Sequence, residues 1–176
     1  MIQNDYPSNT TKSEIVTDIV NRLKESSYNI TEINDQKPWG AYIRIDERNI
    51  DQFNKEFFNN QVPKQNALQT PKILIVGPNQ RLSWQYHHRR KEIWSVIAGP
   101  IDIARSMNNS DQNISTYGQN LLISLEKEER HRLIGKETWG IVAEIWVHTD
   151  LNNPSDEEDI VRISDDYNRV KLISKI

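Results

Sequence analysis

From Tyr42 to His148 the chain is cut into short stretches of strand-like composition, and that spacing limits its fold more than any other feature. Tyr42-Ile43-Arg44-Ile45 is the first, followed by runs over 72–76, 81–88, 93–98, 101–106, 120–125, 132–134 and 141–148. Gly, Pro and Asn punctuate them, as at Gly77-Pro78-Asn79. Short strands at such intervals predict an all-β barrel or sandwich, and nothing resembles alternating strand–helix units. One helix is expected ahead of them, over 13–26, where Ile15, Ile19, Val20 and Leu23 recur at helical spacing and Ser13, Thr11 or Thr10 can cap the start. The break at Asn34-Asp35-Gln36-Lys37-Pro38 divides the chain into an N-terminal helical extension, 1–36, and a β domain, 37–176. Asn54 to Asn59 reads as a helical turn or part of a long hairpin. The polar tail from Ser164 to Ile176 reads as a helix or an irregular segment.

Charge and composition narrow the function classes. With 22 basic and 25 acidic side chains among 176 residues, the net charge of −3 provides no general footprint for nucleic acid. There is no cysteine, so disulfide scaffolds, thiolate metal sites and cysteine nucleophiles are excluded. No apolar run approaches the roughly 18 residues of a membrane span. Met1 to Lys12 lacks the basic-then-apolar layout of a signal peptide. The expectation is a soluble, cytoplasmic protein with no nucleic-acid or membrane partner.

The chemistry concentrates between Gln80 and Trp94. Side chains alternate along a strand, so Gln85 and His87 share a face. A turn through Arg89-Arg90-Lys91 would return Glu92 on a neighbouring strand. Amide, imidazole and carboxylate converging from two paired strands suit a divalent metal, and His131, after the run Leu121 to Leu125, is the fourth candidate. His148 lies where its strand ends and is left out. The plainer alternative is a polar patch lining a barrel.

These residues resemble the first cupin motif, which runs here through Asn79, Gln85, His87, Glu92 and Gly99, with Asn79 in place of the usual glycine. Gly118 and His131 match the second motif. More closely, the chain resembles the cupin domain of type II phosphomannose isomerases. The matching segments are Lys37-Pro38-Trp39-Gly40-x-Tyr42, Gln80 to Trp94, His131-Arg132-Leu133, Glu144-Ile145 and Glu158 to Arg169. The resemblance implies a mainly β, double-stranded β-helix (the cupin jelly-roll barrel) with the N-terminal helix packed on its outside. It also implies one divalent metal ion on Gln85, His87, Glu92 and His131, zinc foremost, with manganese, nickel or iron as alternatives.

The departures are specific. Arg89 stands where the family usually has a third consecutive His, and Ile93 where it has another. Glu126-Lys127-Glu128 replaces a Pro-x-Gly turn, predicting a looser turn before His131. No glycine-rich phosphate loop of the family's nucleotidyltransferase domain occurs in these residues, so guanylyltransferase activity is not expected of them.

Functionally, the resemblance implies a stand-alone mannose-6-phosphate isomerase interconverting an aldose and a ketose phosphate. Glu144 is the expected proton shuttle, and Arg132, Lys136 or Arg81 the expected holders of the phosphate. A non-catalytic sugar- or small-molecule-binding cupin is the alternative. A metal-dependent isomerase or epimerase acting on other phosphorylated or nucleotide sugars is a third reading. For Glu144 the competing assignment is a solvent-exposed strand charge. The basic run 87–91 and the acidic run Asp156-Glu157-Glu158-Asp159 are expected to be solvated turns. At most one of the five tryptophans is expected to line a ligand pocket. The partner is a small sugar phosphate, and a homodimer through edge strands is an open expectation.

Overall fold

Every residue of the strand Gly140–His148 is buried, which means that the sheet containing it is covered on both faces. The computed structural model describes residues 2, 5–63, 68–110 and 112–169. The strands are β1 (Ile30–Asn34), β2 (Gly40–Ile45), β3 (Gln69–Val76), β4 (Trp84–Tyr86), β5 (Arg90–Ala98) and β6 (Ile101–Ser106). They continue with β7 (Asn113–Tyr117), β8 (Leu122–Leu125), β9 (Arg130–Gly135), β10 (Gly140–His148) and β11 (Val161–Ser164). Two helices, α1 (Lys12–Glu25) and α2 (Ile50–Phe58), precede β3.

All pairings are antiparallel and form two sheets. One has the order β1-β2-β3-β10-β5-β8, the other β11-β4-β9-β6-β7. From β4 onward the chain passes back and forth between the sheets, with only the β6–β7 hairpin keeping two successive strands in one sheet, which gives the expected double-stranded β-helix. Among the described residues, no helix is long and apolar enough to cross a membrane.

Alternation divides the core into two layers. On β10, Ile141, Ala143, Ile145 and Val147 face outward and pack with Ile73 and Ile75 of β3, Ile43 of β2, Ile15, Ile19 and Leu23 of α1, and Phe53 and Phe58 of α2. The inward-facing Val142 joins Leu74, Val76, Trp94, Val96, Ile101, Ile103 and Leu133 between the sheets. Helix α1 is thus an outer cover. Thr11 caps it in a reciprocal capping box with Glu14.

Two left-handed residues set turns that matter below. Asn79, at φ 57°, adopts the left-handed conformation, which asparagine tolerates better than most residues. Glu128, at φ 63°, does so without asparagine's advantage, and the Glu129 N–H donates to the Glu126 carbonyl at 3.0 Å. The turn before His131 is therefore tight rather than loose.

Several expected boundaries shift. The segment 81–88 forms only the three-residue β4 and an isolated bridge from Arg81 to Ile134. The stretch around Asn54 is helix α2, and β1, β7 and β11 are additional strands. Within the expected tail, Ser164 ends β11, while 170–176 lies outside the described residues.

Candidate metal centre and cavity

Strand register assembles the centre. Gln85 on β4 lies opposite His131 on β9, while Glu92 on β5 lies opposite Trp146 on β10. His87 follows β4 directly. The side-chain ligand atoms of His87, Glu92 and His131 all lie within 4.8 Å of one another, and all three residues are about 2 % exposed.

Both imidazoles are oriented by backbone carbonyls. The His87 Nδ1–H donates to the Asp159 carbonyl at 2.6 Å, and the His131 Nδ1–H to the Glu129 carbonyl at 3.0 Å. Nε2 of each ring is thereby turned toward Glu92, at 3.2 Å from Oε1 for His87 and 3.3 Å from Oε2 for His131. Tetrahedral ligands about 2.05 Å from an ion would be spaced by about 3.4 Å, close to these separations. Glu92 Oε2 and His131 Nε2 are buried without a hydrogen-bond partner. Burial pushes His87 down to about 3, with the Arg90 charge adding to the effect, so its ring is neutral at physiological pH. Burial alone would raise the Glu92 carboxyl, but His87, Arg90 and His131 hold it well below the usual carboxylate range. Neutral imidazole nitrogen, ionised carboxylate and two orphaned donor atoms form a set that could hold a metal ion.

Gln85 stands beside the triad, its Oε1 accepting from Ser83 at 2.6 Å and its Nε2 lying 3.5 Å from His87 Nε2. Arg90 was not expected here. Instead of lying in a solvated turn it begins β5, two residues before Glu92 on the same face, and is 4 % exposed. It donates to Glu92 Oε1 at 2.8 Å and approaches His87 Nε2 at 3.1 Å, and its guanidinium stacks on Trp146.

Through Glu92 and Gln85 the centre borders a cleft whose empty space, open mouth included, is about 520 Å³. Glu144 lines it, buried, rather than facing solvent. Its Oε1 accepts from Trp94 Nε1 at 3.0 Å and its Oε2 has no hydrogen-bond partner. Burial, with the Glu92 charge second, pushes this carboxyl up to about 8. Opposite stands Lys72, its ammonium 4.1 Å from the Tyr42 ring centre and 4.2 Å from that of Trp146. Three tryptophans, Trp39, Trp94 and Trp146, line the space, where at most one was expected.

The acidic run is not simply solvated either. Asp159 is 6 % exposed and accepts from the backbone N–H groups of His88 and Arg89 and from Ser155 Oγ. Glu157 accepts from Lys72 and Arg44, each at 2.8 Å.

The expected phosphate holders are not brought to this cavity. Alternation turns Arg132 to the face of β9 opposite His131, where it donates to Ser164. Arg81 pairs with Asp166 and Lys136 with Asp102 around a separate surface depression. His148 is buried elsewhere, against Thr70 and the Ser155 N–H. Arg90 and Lys72 could have been found from alternation alone, since each is a cation on the inward face of a strand. Asp159 acts on His87 through a backbone carbonyl, which leaves no residue-type signal.

A jelly-roll barrel with two histidines and a glutamate buried at its centre defines a cupin. Residues 24–165 match the family described as the mannose-6-phosphate isomerase C-terminal domain, and the chain belongs to that family. It is 28% identical over 134 residues to a mannose-1-phosphate guanylyltransferase of Escherichia coli K12, and 31% identical over 133 residues to the xanthan biosynthesis protein XanB of Xanthomonas campestris. In both cases 76% of this chain aligns with only 23% of the relative, so the match spans about a quarter of those proteins. In structure it is similar to the capsular polysaccharide assembling protein CapF of Staphylococcus aureus, with a TM-score of 0.52 and 16% identity over 78% of this chain and 33% of that one.

Proposed function

We propose that the protein is a metal-dependent aldose–ketose isomerase acting on mannose 6-phosphate or a close relative. The observation that carries this reading is that Glu92, the carboxylate of the His87–Glu92–His131 cluster, lines the same cavity as Glu144. A divalent ion held by His87, Glu92 and His131, with Gln85 beside it, would polarise a sugar carbonyl and lower the cost of removing the adjacent C–H proton. Glu144 supplies the proton transfer. A carboxyl titrating near 8 takes up and returns a proton at similar cost close to neutral pH, as transfer between C1 and C2 through an enediol requires. Trp94 holds one oxygen of that carboxyl and leaves the other for the substrate. Trp39, Tyr42 and Trp146 give the sugar an apolar wall and restrict water.

One observation favours a second reading, a sugar-binding cupin without catalysis. Arg90 already satisfies Glu92 Oε1 and His87 Nε2, so the cluster has an internal cation of its own. Metal analysis of the purified protein, run beside a coupled assay for fructose 6-phosphate formation from mannose 6-phosphate, separates the two. The isomerase reading expects about one equivalent of divalent metal and turnover abolished by chelation. Tight sugar phosphate binding without turnover in metal-loaded protein would replace it with the second.

A further inference from the structure

The cavity next to the candidate metal centre carries more positive charge than its own carboxylates neutralise. Lys37, Lys72, Arg90, Arg162 and Arg169 line it, against Glu92, Glu144 and Glu157. Three of the cations have close partners: Arg90 with Glu92 at 2.8 Å, Lys72 with Glu157 at 2.8 Å and Arg169 with Asp165 at 2.5 Å. Among the described residues, neither Lys37 nor Arg162 has a carboxylate within ion-pair distance, and Arg162 Nε is buried without a hydrogen-bond partner. Burial and the neighbouring Arg169 lower the pKa of Arg162. Burial also lowers that of Lys37; Glu157 opposes the shift, while Arg169, Arg162 and Lys72 add to it. Cations crowded in this way favour an anion between them.

Register fixes where that anion would lie. Arg162 on β11 is directly opposite Gln85 on β4, and Gln85 is opposite His131 on β9. Paired residues share a face, and adjacent strands are about 4.8 Å apart. The sequence of groups across the sheet is thus metal ligand, amide, guanidinium. A six-carbon sugar with its carbonyl end at the ligands reaches the cations with its far end.

We propose that Lys37 and Arg162, with Arg169 held beside them by Asp165, form the subsite for the phosphate monoester of the substrate. Arg162 gives directed N–H donors and Lys37 a compact charge. This inference rests on the sugar phosphate reading above and replaces Arg81, Lys136 and Arg132 as the phosphate holders.

Calorimetric titration of the full chain with inorganic phosphate, mannose and mannose 6-phosphate tests it. Wild type should bind mannose 6-phosphate at least 100-fold tighter than mannose, with inorganic phosphate competing. Lys37→Gln and Arg162→Gln should each weaken phosphate and mannose 6-phosphate at least tenfold while leaving mannose affinity unchanged. Arg81→Gln should leave phosphate affinity unchanged. Should a glutamine variant misfold, Arg162→Lys and Lys37→Arg take its place: the undirected lysine should weaken phosphate several-fold while Lys37→Arg retains it, whereas wild-type phosphate affinity in Arg162→Lys with loss of phosphate binding in Arg81→Gln overturns the subsite. Unchanged phosphate affinity in both glutamine variants overturns it. Failure of the two ideas is separable. Phosphate binding that depends on Lys37 and Arg162, without turnover, upholds the subsite and removes the isomerase. Turnover at wild-type KM in both glutamine variants does the reverse.

Discussion

The imidazole of His87 and the backbone carbonyl of Asp159, 72 positions apart in sequence, are joined by a 2.6 Å hydrogen bond that fixes which ring nitrogen faces Glu92. Asp159 in turn is held by its own side chain, through the N–H groups of His88 and Arg89. One acidic residue thus links the segment after β10 to both the backbone and the ring orientation of a metal-ligand candidate.

Asp159→Ala frees that carbonyl and should weaken divalent metal binding by about 10–100-fold, the usual effect of losing an outer partner of a ligating histidine. Asp159→Asn keeps an acceptor and should recover part of the loss. Competition titration against a chromogenic chelator measures both. Equal affinity in wild type and Asp159→Ala would show that the His87 orientation does not depend on this anchor.

Glu144 gives a signed pH dependence. Its carboxyl sits at about 8 in the fold against an ordinary 4.5, so the folded state binds the extra proton between those values. Its stabilising contribution is complete below about pH 4.5 and is lost as pH rises through 8. Glu144→Gln cannot ionise. Urea midpoints of the chelated proteins should therefore diverge from pH 5 to pH 8.5, wild type losing on the order of 3 kcal/mol relative to the variant. In the fold Glu92 is already ionised and His87 neutral throughout this window in both proteins, so their own titration cancels in the difference. Parallel curves would mean that Glu144 is ionised in the fold.

At Glu128 the left-handed backbone costs a side-chain-bearing residue about 1–2 kcal/mol. The exposed contact with His88 at 3.1 Å returns little of that. Glu128→Gly should stabilise the protein by about 1 kcal/mol, raising Tm by about 2–4 °C in a melting experiment. A lowered Tm would place more value on the His88 contact than solvent screening allows.

What the sequence made legible follows from periodicity. The barrel strands with a buried face, such as β3 and β10, announce themselves by apolar runs. The ligand triad follows from two-residue alternation plus a return strand. β7 was not legible, because Asn113 to Thr116 is exposed on a sheet edge and carries no apolar signal. Arg132 illustrates the opposite difficulty. It adjoins His131 in sequence, yet alternation sends it to the other face, while Arg162, remote in sequence, is paired directly with Gln85. Long-range register, not local composition, decides which cations share the cavity.

The central claim is that the His87–Glu92–His131 cluster and Glu144 act together on the adjacent C1 and C2 of one substrate, and hydrogen exchange with solvent at those carbons tests it most directly. Metal-loaded protein incubated with mannose 6-phosphate in D2O should yield fructose 6-phosphate carrying deuterium at C1, and mannose 6-phosphate re-formed by the reverse reaction should carry it at C2, both followed by proton NMR. Glu144→Gln should slow both by at least about 100-fold with metal content unchanged. Mannose 6-phosphate that stays bound in metal-loaded wild type with no deuterium gained and no ketose formed would contradict the account.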